Sequence, residues 1–219
     1  TEPAAERCII LSGGVDTCAI LAAAEQTGVK FGGAITVLTG QDSPDREFAM
    51  AAAASAGLKH EIVYVTPADL VSVYLPDCVK ALATFDGMTL RNSLVVAAAM
   101  RKASELGFKN AVVGDGADEL FGGYSFTWGM EDDPTGWKEK RDKLCAKWTF
   151  ATTQLAEMFG LTSHSPYTEP TFVEWAVTKT VRADCIKTRP IILALGGEAI
   201  EHVAGKMCLR EAYETVSSW

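Results

Sequence analysis

Ser12-Gly13-Gly14-Val15-Asp16-Thr17 is the stretch of this chain best suited to chemistry. Two adjacent glycines carry no Cβ, so a ligand can approach the backbone closely. Upstream, Arg7-Cys8-Ile9-Ile10-Leu11 is a short apolar run that predicts a buried strand. Downstream, Cys18 to Thr27 is rich in helix formers and stops at Gly28. The glycines therefore read as a tight turn between a strand and a helix. The first N–H groups of a helix lack intrahelical partners and the dipole is positive there, which suits a phosphate. The turn lacks the Gly-Lys-Ser/Thr ending of a Walker A loop and carries Asp16 instead. An acid beside phosphates needs a cation between them, so a bound nucleotide would bring magnesium. Asp16 also has a plain structural explanation, because an acid in a helix's first turn is favourable by itself.

The elements that must position this turn alternate along the first half of the chain. Gly32–Leu38 predicts a second strand, and Ser43-Pro44 opens a helix running to Gly57. His60–Val65 predicts a third strand, and Thr66-Pro67-Ala68-Asp69 opens the next helix with a capping box. Asn92–Leu106 predicts a long helix closed by Gly107, and Lys109–Gly114 a fourth strand. The strands are near-continuous apolar runs, as in a parallel sheet covered on both faces. Right-handed crossovers grow the first three strands in one direction, and the fourth returns beside the first, giving the order 3-2-1-4. Ligands bind where such an order reverses, at the carboxyl ends of the strands. The turns expected there are Ser12–Asp16 and Gly114-Asp115-Gly116-Ala117-Asp118-Glu119, both rich in glycine and acid.

The chain has 219 residues, enough for one sizeable core with a helical subdomain. Its net charge of −8 argues against a duplex nucleic-acid binder, which needs a basic face. No run of about 20 apolar residues predicts a membrane span, and the first residues lack the layout of a signal peptide. The missing Met suggests a processed start. Six cysteines form no C-x-x-C pair, so they read as reduced thiols in a cytoplasmic protein rather than zinc ligands. From Tyr124 onward the pattern is helical. Trp137, Leu144, Trp148 and Leu155 make one apolar stripe, with Lys138, Glu139, Lys140 and Arg141 between its members, as in a helix packing on the sheet domain rather than an aromatic ligand box. Glu131–Pro134 reads as a solvated loop and Thr171–Glu174 as a capping box, and Pro190–Val203 and Lys206–Val216 are the last expected helices.

The two turns carry a family resemblance. SGGVDT is similar to the SGG-x-D-[ST] loop of the ATP pyrophosphatases. VGDGADELFGGY, Val113 to Tyr124, is close to the S-G-E-G-[SA]-D-E-x-F-G-G-Y signature of the asparagine synthetase family, which includes the β-lactam and carbapenam synthetases. Ser43–Asp45, Thr89–Ser93 and Gly205–Glu214 follow in the family's order. The resemblance covers nearly the whole chain, but only the synthetase domain. It implies a single α/β domain over the whole length, with the parallel sheet of the adenine-nucleotide α-hydrolase-like, PP-loop type. Its nucleotide-binding core would run to Ser125 and a helical C-terminal part from Phe126.

The resemblance also implies an activity: ATP activates a carboxylate, aspartate first among candidates, as an acyl-adenylate, and ammonia or an amine displaces AMP. Ser12, Gly13, Gly14, Val15, Asp16 and Thr17 would hold the pyrophosphate, with Gly114 and Gly116 in the second turn. Leu11 and Leu38 would lie near the adenine. Asp16 and Asp118 would bind magnesium. Arg91 would help organise substrate and pyrophosphate, Asp115 would handle the incoming amine, and Lys206 would be the catalytic lysine. A fixed cation beside the reacting phosphate stabilises the charge that develops there. Asp115 is one methylene shorter than the family's Glu, and Thr17 replaces Ser. In Gly160–Glu169, Thr162 and His164 stand where Glu and Arg are expected, which loosens the tie to aspartate. The chain carries neither a glutaminase domain nor an N-terminal Cys, so free ammonia, a separate glutaminase subunit or an amine-bearing substrate must supply nitrogen. Neither nucleic acid nor membrane is expected as a partner, and self-association stays open. Two other readings stand beside the ligase: tRNA thiolation, disfavoured by the absent cysteine pair and basic surface, and a nucleotide-binding protein of weak or partner-dependent activity.

Overall fold

The computed structural model describes residues 4–40, 43, 45–130, 133–192 and 196–216. In chain order the elements used below are β1 (Arg7–Ile10), α1 (Val15–Thr27), β2 (Gly33–Leu38), α2 (Asp45–Ser55), β3 (His60–Tyr64), α3 (Pro67–Asp69), α4 (Leu75–Leu82), α5 (Gly87–Glu105), β4 (Asn110–Val112), α6 (Ala117–Phe121), α7 (Pro134–Lys147), α8 (Ala151–Met158), β5 (Thr162–His164), α9 (Pro170–Lys179), α10 (Arg182–Cys185), β6 (Lys187–Ile192), β7 (Ala199–Ala204) and α11 (Met207–Val216). They fall into two compact units: Thr1–Val113 with Phe150–His164, and Gly114–Thr149 with Ser165–Trp219. The units are interleaved, whereas the sequence suggested two consecutive parts meeting at Ser125.

In the first unit a parallel sheet runs β3-β2-β1-β4-β5. The expected order 3-2-1-4 is present and extended by β5. That strand was assigned to the helical tail, because Thr162-Ser163-His164 is too short and polar to show an apolar period. Cys8, Ile35 and Ala111 are fully buried in one cluster with Leu90 and Met100 of α5 and Leu155 of α8. β1 and β4 are neighbours, with Ile9 opposite Val112. The chain therefore leaves the sheet at Leu11 and at Val113 from adjacent positions on its carboxyl edge.

Local chemistry explains most boundaries. Gly28 closes α1 in the left-handed conformation, with φ 75°. The Thr66–Asp69 capping box forms as read, with Thr66 Oγ1 accepting from the Asp69 N–H. Helix α5 starts earlier than expected, at Gly87, because the Asp86 carboxylate accepts from the Thr89 N–H at 2.7 Å. Arg91 consequently lies inside a helix. Gln41, Asp42 and Pro44 lie outside the described residues, and α2 is seen from Asp45.

In the second unit the all-helical expectation fails. β6 and β7 form an antiparallel ribbon, with Thr188 opposite Val203 and Ile191 opposite Ile200, where a helix over Pro190–Val203 was predicted. The β-branched residues favour a strand, and a two-stranded ribbon has only edges, where Pro190 costs little. Leu193–Leu195 lie outside the described residues. The aromatic stripe is also broken. α7 ends at Lys147, Trp148 turns extended with ψ 139°, and Leu155 belongs to α8 in the first unit. Arg141, which lies between the stripe positions, is 2% exposed and donates to Thr180 O, Thr180 Oγ1 and Val177 O. α9 starts at Pro170 with no side-chain cap, so Thr171–Glu174 is not a capping box; proline at the first position sets the start instead. Asp133 is the N-cap of α7, accepting from the Gly136 N–H at 2.8 Å, while Glu131 and Asp132 lie outside the described residues. No helix among the described residues is long and apolar enough to cross a membrane.

Candidate active site

The first unit carries the glycine turn. Leu11 is fully buried at the end of β1, and Ser12 and Gly14 are exposed. The turn is stitched by its own hydroxyls. The Ser12 N–H donates to Thr17 Oγ1 at 3.3 Å, the Gly14 N–H donates to Ser12 Oγ at 3.2 Å, and Thr17 Oγ1 donates to Gly14 O. Thr17 is thus buried and structural, which is why a hydroxyl suffices and Thr can replace Ser.

The two glycines have different reasons. Gly13 has φ 83°, and a Cβ there would lie 2.4 Å from Asp45 O and 2.9 Å from Ala49 N, both backbone atoms of α2. It is glycine because α2 packs on it. Gly14 is the N-cap of α1 with ordinary extended angles, φ −74° and ψ 159°, and a Cβ would meet only Ser12 Oγ at 3.3 Å. Gly14 therefore leaves open approach to the amino end of a 13-residue helix. Val15 and Asp16 form that helix's first turn, half-buried.

Leu38 is buried at the end of β2; its carbonyl accepts the Val65 N–H at 2.9 Å, as Ile35 O accepts that of Leu11 at 2.8 Å. Both leucines are therefore suited to forming walls rather than donating hydrogen bonds. Arg91 is exposed near the start of α5.

The second unit brings Gly114–Asp118 together with Lys206. Gly116 has φ 94°, and Thr168, Tyr167 and Trp148 press against the place of its missing Cβ. Asp115 and Asp118 are half-buried, Asp118 in the first turn of α6. Lys206 Nζ lies 2.9 Å from Asp118 Oδ1. Glycines make this approach possible. A Cβ on Gly123 would fall 1.8 Å from Asp118 Oδ1 and 2.4 Å from Lys206 Cε, and one on Gly205 would fall 2.0 Å from Gly122 O. Lys206 itself has φ 58°, unusual for a residue with a side chain, and its N–H is held by Phe121 O at 2.9 Å.

Three side-chain contacts are not legible in the sequence. The Ser165 hydroxyl donates to Asp115 O at 2.5 Å and so holds the second turn. Tyr124 donates to Glu119 Oε1 at 2.6 Å. Burial first, then the Glu119 carboxylate with Asp118 and Asp115, pushes the Tyr124 hydroxyl well above its ordinary range, so it stays a donor. The only signal was the motif itself, since Glu119 and Tyr124 stand inside it. His164 belongs to β5, its ring Nε2 3.1 Å from Asn110 Oδ1.

The six cysteines are free thiols, and burial pushes Cys8 and Cys18 up to about 12. Among the described residues no three His, Cys, Asp or Glu side chains gather as a protein-only metal cage would need. Magnesium held by one or two carboxylates and substrate phosphates needs no such cage, and the hard oxygens of Asp16 and Asp118 are the donor type it takes.

A family model for asparagine synthase matches residues 4–176. The chain belongs to the asparagine synthase family. An asparagine synthetase (glutamine-hydrolyzing) of Asparagus officinalis is 32% identical over 128 residues, 54% of this chain and 21% of that protein. Asparagine synthetase (glutamine-hydrolyzing) 1 of Arabidopsis thaliana is 26% identical over 192 residues, 82% of this chain and 32% of that protein. The chain thus spans about a fifth to a third of the asparagine synthetases it matches. Among solved structures, a predicted subunit of tRNA methyltransferase from Methanocaldococcus jannaschii has a TM-score of 0.41 at 13% identity, over 85% of this chain and 78% of that one. The fold assignment stands on the strand order without it.

Proposed function

We propose that this chain is the synthetase part of an ATP-dependent amide ligase that adenylates a carboxylate, aspartate first among candidates, and transfers the acyl group to ammonia or an amine. What supports the reading most is the exposed Gly14 at the head of α1, in a chain whose residues 4–176 match asparagine synthase. A carboxylate oxygen attacks the α-phosphorus of ATP and pyrophosphate leaves. The amine nitrogen then attacks the acyl carbon, and AMP leaves with the bridging oxygen.

The chain's own residues divide this work. The N–H groups at Ser12–Asp16 donate to pyrophosphate oxygens in place of the Ser12 and Thr17 hydroxyls that now accept from two of them. Gly114 and Gly116 shape the second turn. Lys206 stabilises charge on the phosphates as it develops, and Arg91 orients carboxylate or pyrophosphate. Asp115 receives the proton of the attacking amine. Asp16 and Asp118 supply carboxylate oxygens to magnesium, which when bound neutralises phosphate charge. Leu11 and Leu38 wall the adenine.

Nitrogen arrives as free ammonia or from a separate glutaminase subunit, by analogy with relatives named as glutamine-hydrolysing. A different carboxylate is the second reading. Thr162 and His164, which replace the family's Glu and Arg, serve here in an edge strand, with His164 beside Asn110. Purified protein is assayed for pyrophosphate release with MgATP, ammonium and a panel of acids. Release with aspartate supports the first reading and release with another acid the second. No release with any acid, despite tight ATP binding, would leave a nucleotide-binding protein.

A further inference from the structure

Leu11 immediately precedes the glycine turn, and its carbonyl oxygen accepts from Thr36 Oγ1 at 2.5 Å. Thr36 lies on β2, 2% exposed. On its other side, His60 Nε2 stands 2.8 Å from the same Oγ1. A hydroxyl has one hydrogen, and a carbonyl oxygen only accepts. The hydrogen of Thr36 therefore goes to Leu11, and His60 must supply the other one. This fixes the imidazole as the tautomer protonated at Nε2.

We infer that Thr36 and His60 are positioning residues for the phosphate-binding N–H groups. The peptide joining Leu11 to Ser12 is planar and trans, so its C=O and N–H point in opposite directions. Holding the carbonyl on Thr36 aims the Ser12 N–H the other way, into the turn, where it meets Thr17 Oγ1 at 3.3 Å. The Leu11 N–H is fixed as well, on Ile35 O at 2.8 Å. The relay His60 Nε2–H to Thr36 O–H to Leu11 C=O thus locks the last peptide before the glycines. Preorganised donors lose nothing to reorientation when an anion arrives. None of the motif residues performs this task; it comes from β2 and the start of β3. The inference about anion binding rests on the nucleotide reading above, whereas the inference about the peptide does not.

The test uses the full chain with four substitutions: Thr36→Val, Thr36→Ser, His60→Phe and His60→Gln. Amide hydrogen exchange at Ser12–Asp16 is followed without ligand, and MgATP affinity is measured by calorimetry, with thermal midpoints as the control for folding. Thr36→Val keeps shape but loses the hydroxyl, so exchange in the turn accelerates and the MgATP Kd rises about tenfold. Thr36→Ser restores both to within about twofold, the residue's hydrogen-bonding group being retained. His60→Phe behaves like Thr36→Val in weaker form, and His60→Gln, which keeps an N–H donor, recovers. Unchanged exchange in folded Thr36→Val, or no recovery in the Ser and Gln variants, would overturn the relay. If wild-type protein binds no ATP while the exchange pattern holds, the nucleotide reading fails and the relay stands. If Thr36→Val does not fold, the His60 pair decides.

Discussion

Lys206 Nζ sits 2.9 Å from Asp118 Oδ1, an approach that the missing side chains of Gly123 and Gly205 permit. The cation proposed to act on phosphates is thus paired with a carboxylate proposed to hold their metal. On that proposal a polyphosphate with magnesium would offer each partner a replacement, so the pair would open without stranding either charge. The glycines separate two kinds of damage. In Gly205→Ala the new Cβ meets Gly122 O, a backbone atom that cannot step aside, and the variant loses about 3 kcal/mol of stability by chemical denaturation. In Gly123→Ala it meets the ends of Asp118 and Lys206, which can move. That variant loses only about 1 kcal/mol, while pyrophosphate release falls at least about tenfold.

The first turn makes a parallel prediction. Gly13→Ala forces a side chain into the left-handed region and against Asp45 O, so it destabilises by about 3 kcal/mol. Gly14→Ala meets no backbone atom and keeps ordinary angles. Its thermal midpoint stays near that of the wild type, yet its MgATP Kd rises about tenfold because the methyl stands in the ligand's approach.

His60 gives a pH dependence. Burial lowers its pKa below the ordinary 6.5, against a smaller opposing effect of Glu61. As pH falls below 6.5 the unfolded chain takes the proton first, so the native state loses stability until the pH passes the lowered native value. His60→Gln has no such proton to take. The thermal midpoint of wild-type protein should therefore fall more steeply than that of His60→Gln between about pH 7 and about pH 5. Parallel curves would contradict the assignment of a neutral ring.

Arg141 is a structural charge. Its guanidinium donates to two backbone carbonyls and lies 4.9 Å from the centre of the Trp137 ring. Arg141→Leu strands those acceptors and costs about 2–3 kcal/mol in a denaturation experiment. Arg141→Lys restores little of that, because an ammonium cannot span the fork.

What the sequence revealed follows from how strongly each feature is written locally. β1, β2 and the strand order were legible because apolar runs, helix caps and the right-handed crossover all point the same way. β5 was not, since an edge strand of Thr, Ser and His has no apolar face to announce it. The β6–β7 ribbon was missed because Pro190 read as a helix start, although the same residue fits an unpaired strand edge. The burial of Arg141 is not written locally, because it depends on carbonyls from Val177 and Thr180, distant in sequence. The glycine turns themselves were plain. The partners that aim them, Thr36, His60 and Ser165, carry no signal without the fold.

The most direct measurement of the central claim uses a carboxylic acid labelled with heavy oxygen in its carboxylate, aspartate first, incubated with ATP, magnesium, ammonium and the protein. Mass spectrometry of the nucleotide products then follows the label. Adenylation followed by amide formation predicts AMP that carries one labelled oxygen, in amounts equal to the amide formed. Unlabelled AMP, or ADP and phosphate as the nucleotide products, would contradict it.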